Sequence, residues 1–138
     1  MAVRFEIEDP DGRREFIVDM SISGLISVGK KAGLDMSEFY RITDYTDYIE
    51  GEMILASEDI QKLLTFCRSM LNTFMQLERD GLVLLSDSEE IGYKRMMEAG
   101  LAPASSKKRF SGTIPTLRKL IEICEKALAV CGSVIMIP

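Results

Sequence analysis

The stretch SEDIQKLLTFCRSMLNTFMQLERD, residues 57–80, decides the fold. Within it Ile60, Leu63, Leu64, Cys67, Met70, Leu71, Phe74 and Leu77 recur three and four residues apart. That spacing lays them along one stripe of an α-helix of about six turns. Ser57 stands where a side chain can accept from an orphan amide, Glu58 and Asp59 complement the positive end of the helix dipole, and Gly81 can take the left-handed conformation that stops the helix.

Downstream, Leu82-Val83-Leu84-Leu85 is a continuous apolar run, the pattern of an interior strand covered on both faces. Ser86 and Glu89 stand in capping-box spacing and open a helix that runs to about Ala99, before Gly100. Residues 101–112 hold Pro103, Ser105 and Ser106 beside Lys107, Lys108 and Arg109, a flexible loop. A last helix over 113–131, with Pro115 in its first turn, carries Leu117, Leu120, Ile121, Cys124, Leu128 and Cys131 on one face and a ladder of Arg118, Glu122 and Lys126 on another. Gly132 ends it, and residues 133–137 form a buried terminal strand.

Upstream, Val3, Phe5 and Ile7 alternate with charged residues, and Pro10-Asp11-Gly12 turns the chain into a second run at Phe16-Ile17-Val18. These form a β-hairpin. Residues 21–34 suggest a short helix ending at Gly33, weakened by Gly24 and Gly29. Asp35 to Glu52 is acidic and aromatic, an exposed loop with a helical turn near Ser37, and Met53-Ile54-Leu55 is a short strand. The expected fold is α+β: an N-terminal β-hairpin plus a mixed sheet packed against two long amphipathic helices, with residues 1–138 as a single globular domain.

The charge is uneven. Residues 1–60 hold 14 acids and 6 bases, and residues 61–138 hold 8 and 11. A general nucleic-acid binder would show an extended basic face, so nucleic acid is not an expected partner. The apolar runs are too short to cross a bilayer, which needs about 20 residues, and the charged first residues do not form an export signal. Three cysteines, Cys67, Cys124 and Cys131, cannot all pair within the chain; as free core thiols they favour a reducing, cytoplasmic setting.

The chain has no histidine. Ser-His and Cys-His nucleophilic pairs and histidine metal sites are thereby excluded, and no CxxC spacing suggests zinc. Neither Gly-rich phosphate motif is complete around Gly24, Gly29 and Gly33. No catalytic residue, metal ligand or cofactor is assigned. Lys107, Lys108 and Arg109 form a basic cluster that could contact phosphate or another anion.

The functional expectation rests on residues 40–52, YRITDYTDYIEGE, which hold three of the four tyrosines and repeat Thr-Asp-Tyr. From Asp35 through Asp59 there are eight acids and one base. Tyrosines are rigid contact groups, and a dense acidic field speeds encounter with a basic partner. Tyr40, Asp44, Tyr45, Asp47, Tyr48 and Glu50 are therefore expected to form a protein-binding face for a basic protein, in an inhibitor or immunity-type role. The same tyrosines could instead pack a helical turn onto the core. An alternative function is a small-molecule-binding regulatory domain or a carboxylate-based enzyme with residues 101–112 as a lid. Homo-oligomerisation through apolar surface is a further possibility.

Overall fold

Strand β1 (Val3–Glu8) buries Val3, Phe5 and Ile7, and the two-residue alternation sends Arg4, Glu6 and Glu8 to the opposite face. The chain then turns at Asp9, whose carboxylate accepts from the amides of Asp11 and Arg13, and Gly12 adopts φ +83 to close the turn. Strand β2 (Arg14–Met20) returns antiparallel to β1. The computed structural model describes residues 2–44, 51–101 and 104–138, with the backbone alone at 104–106. Two further strands, β3 (Met53–Leu55) and β4 (Ser133–Ile137), give, among the described residues, a four-stranded sheet of order β2-β1-β4-β3.

Among the described residues five α-helices join these strands: α1 (Ser23–Lys31), α2 (Ser37–Thr43), α3 (Ser57–Arg79), α4 (Asp87–Glu98) and α5 (Thr113–Ala129). A 3₁₀ turn spans Ala104–Phe110. Helices α3 and α5 pack side by side against one face of the sheet, and the fold is α+β. Between these layers Ile60, Leu63, Cys67, Met70 and Phe74 of α3 meet Leu117, Leu120, Ile123, Cys124 and Ala127 of α5 over Phe5, Val134 and Met136. Burying each large aliphatic or aromatic side chain stabilises the fold by about 1.5–3 kcal/mol relative to exposure.

Several expectations are corrected. Among the described residues all strand pairings are antiparallel, so the sheet they form is not mixed. Leu82 to Leu85 are not a strand: after α3 the amide of Gly81 bonds to Glu78 and that of Leu82 to Leu77, a Schellman closure, and the four residues that follow join no sheet ladder. Leu82 is 48% exposed, and of the four only Leu85 is buried. Residue 56, not Ser57, is the N-cap of α3, without a side-chain cap. The ladder on α5 does not form, because Lys126 reaches Glu15 at 2.8 Å and Glu122 pairs with Lys119 at 3.2 Å.

The expected loop after Gly33 contains α2, which buries Phe39, Ile42 and Thr43, with the Thr43 hydroxyl donating to the Phe39 carbonyl at 2.8 Å. The expected flexible loop at 101–112 holds the 3₁₀ turn, docked on α4 through an edge-to-face contact between Tyr93 and Phe110 with centroids 5.2 Å apart.

Cys131 is exposed and outside α5, at φ +53, the left-handed position expected of Gly132. The cause lies next door. A Cβ on Gly132 would stand 2.4 Å from the Glu8 carbonyl oxygen, so the glycine is held at that close approach and the cysteine takes the turn.

Candidate functional site

Helix α2 presents the described part of the acidic, tyrosine-bearing segment. Its inner side is apolar and buried, which leaves Tyr40 on the outside with 52% of its surface exposed. Asp44 follows α2, half-buried. Tyr45, Asp47, Tyr48 and Glu50 lie outside the described residues. Arg41 connects α2 to the start of α3: its guanidinium donates to Glu38 at 2.8 and 3.1 Å and lies 3.6 Å from the Asp59 carboxylate. Tyr40 therefore stands one residue from an ion pair that anchors this corner of the molecule. Strand β3, just before α3, forms the edge of the sheet and exposes Ile54.

Counting charges along the sequence overstates the acidic field. Glu52 is engaged by Arg14, which donates to both of its oxygens, and Glu58 lies 3.3 Å from Lys62. Hydrogen bonds from Arg14 hold the Glu52 carboxyl below the ordinary glutamate range, and Arg41 does the same for Glu38. The carboxyl of Asp35 is also lowered, chiefly by the Ser37 amide at 3.0 Å. Arg14 and Lys62 come from segments outside residues 35–59, so no local count could have included them.

The basic cluster is placed differently from a free loop. Lys108 reaches Glu78 at 3.5 Å, Arg109 is exposed, and Lys107 lines an open groove with Tyr93, Lys94 and Met97 of α4. Among the described residues, these cations meet Glu78 and α4 and not the α2 corner. Among the described residues, no group of three or more His, Cys, Asp or Glu is placed to hold a metal ion. No helix among them is long and apolar enough to cross a membrane.

The carboxylates that could suggest acid–base chemistry have structural employment. Glu89 accepts from the Ser86 amide at 2.9 Å through one oxygen and from the Gly112 amide at 2.6 Å through the other. The first bond completes the expected capping box, with Ser86 Oγ accepting from the Glu89 amide at 3.3 Å. Lys31 bridges Asp87 at 2.9 Å and Glu90 at 3.2 Å, and the Asp87 contact is the main reason its pKa is raised. The Cys67 and Cys124 thiols are pushed up by burial, Cys124 to about 12, which removes them as nucleophiles.

No protein-family model matches the chain, and no significant match is found among curated proteins or solved structures.

Proposed function

We propose that the protein is a small binding protein of the inhibitor or regulator type, which docks a basic protein through the α2 corner and the acidic segment that follows it. The observation that supports this reading is Tyr40: its helix buries one side in the core while the ring stays half out of the protein. A half-exposed tyrosine beside charged groups combines rigid contact area with a hydroxyl for hydrogen bonding, the type of residue that anchors interfaces. Exposed Ile54 on the neighbouring edge strand adds apolar area close to the start of α3. Acids supplied by Asp44, Asp47 and Glu50 would steer a basic partner.

Carboxylate catalysis has less support, because both oxygens of Glu89 are taken by amides and Asp87 is paired. The free, buried thiols Cys67 and Cys124 fit a reducing compartment.

The test is affinity capture from the native cell, followed by titration of the purified partner at several salt concentrations. Charge reversal at Asp44, Asp47 and Glu50 is expected to weaken binding and flatten its salt dependence, and Tyr40→Ala to cost about 2 kcal/mol. Unchanged affinity in both variants refutes the reading.

A further inference from the structure

We infer that the cavity at which α1, α4 and α5 begin is a binding site for the phosphate group of a small metabolite. Its volume is about 390 Å³, within the roughly 300–1,000 Å³ of small-molecule pockets. The first turns of all three helices line it, and direct contacts lock them together. The Asp87 amide donates to Ser27 Oγ at 3.3 Å, and the Glu89 carboxylate joins the α4 cap to the Gly112 amide. Gly24 faces Ser86 so closely that a Cβ there would lie 3.6 Å from the serine Cβ.

Each helix start carries amide N–H groups with no partner inside the helix, together with about half a positive charge. Helix α2 answers this with Asp35 and Glu38, α3 with Glu58 and Asp59, and α4 with its capping box. Helices α1 and α5, both opening on the cavity, have neither a side-chain cap nor an acid in the first turn.

An independent observation points to a ligand. Thr113 lines the cavity, is only 4% exposed, and its hydroxyl has no hydrogen-bond partner among the described residues. Buried hydroxyls are nearly always bonded, and a phosphate oxygen at this place would accept from it and from the adjoining amides. Lys31 offsets part of the charge of Asp87 and Glu90, and the two uncapped helix starts of α1 and α5, about half a positive charge each, set roughly one positive charge against that of Glu89. The remaining walls, among them Ser21, Ser23 and Ser88, offer hydroxyls suited to the polar body of a metabolite.

The experiment is an amide-resolved NMR titration of the intact chain with inorganic phosphate and, separately, glycerol 3-phosphate, at ionic strength held constant with chloride. Saturable shifts are expected at the amides of Ser23, Gly24, Ser88, Thr113 and Ile114. Thr113→Val should weaken binding about tenfold. Glu89→Gln, which removes the opposing charge and keeps an acceptor for one of the two amides, Ser86 or Gly112, should tighten it several-fold. Tighter binding of the ester supports a metabolite, and a tighter free ion overturns that part of the proposal. Shifts that fail to saturate, or that fall elsewhere, overturn the whole, as does a Thr113→Val protein that titrates like the parent. Should Thr113→Val not fold, Glu89→Gln decides: unchanged or weaker binding overturns the proposal.

Discussion

Arg14 and Glu52 join the two edges of the sheet: the guanidinium, on β2, donates at 2.7 and 3.0 Å to the two oxygens of a carboxylate one residue before β3. The same guanidinium donates to Glu8 at 2.9 Å and lies 3.8 Å from Glu6. One side chain thus spans the sheet that backbone bonding assembles strand by strand. A planar fork of donors suits this two-oxygen contact in a way that an ammonium group does not.

Glu52→Gln should therefore lower the melting temperature at neutral pH, and more so at low salt. Because Arg14 depresses the folded-state pKa of Glu52 below its ordinary 4.5, the stabilising contribution is present above that pH and is lost as pH falls through the depressed value. Melting curves of parent and variant should converge in acid. A constant gap from neutral pH down to acid would show that the pair does not contribute in this way.

Cys131 and Gly132 give opposite expectations at adjacent positions. Cys131→Gly relieves a left-handed conformation in a side-chain-bearing residue and should stabilise the protein by about 1 kcal/mol in urea unfolding. Gly132→Ala drives a methyl group into the Glu8 carbonyl and should destabilise it by about 1–3 kcal/mol. If both changes prove neutral, the turn is not constrained as described.

The three thiols should react at very different rates. Exposed Cys131 is expected to take up a thiol reagent in the native state, whereas Cys67 and Cys124, buried and with raised pKa values, should wait for unfolding. Mass-resolved labelling would separate the sites, and rapid native modification of Cys67 would contradict the packing of α3 on α5.

Core and periphery should differ sharply on truncation. Leu120→Ala opens a cavity at the α3–α5 contact and should cost about 2–5 kcal/mol, while Ile91→Ala, on the exposed side of α4, should change stability by less than about 0.5 kcal/mol. Chemical denaturation of the two variants measures both.

The hairpin and the two long helices were legible because each repeats a period over enough residues to leave one interpretation: Val3, Phe5 and Ile7 by twos, Ile60 to Phe74 by threes and fours. Leu82 to Leu85 misled because a short apolar run has no period, so whether it pairs in a sheet depends on tertiary neighbours and not on its own residues. The tertiary neighbour that decides the Cys131 turn, the Glu8 carbonyl, lies far away along the chain. At the candidate interface, the exposure of Tyr40 could be expected from α2's apolar spacing, but the cations that blunt its acidic surroundings could not. The cavity is not legible in the sequence for a similar reason: its walls come from three separated segments, each of which alone reads as an ordinary helix start with serine or threonine nearby.

Helix α4 contributes no fully buried residue, and its main neighbour is the 3₁₀ turn. A segment so lightly anchored belongs to the low-energy end of local opening, and its amides should exchange hydrogen long before those of α3. Since its first turn walls the cavity and is tied to α1 and α5 there, an occupant of that space would add to those ties and slow the exchange of the α4 amides further.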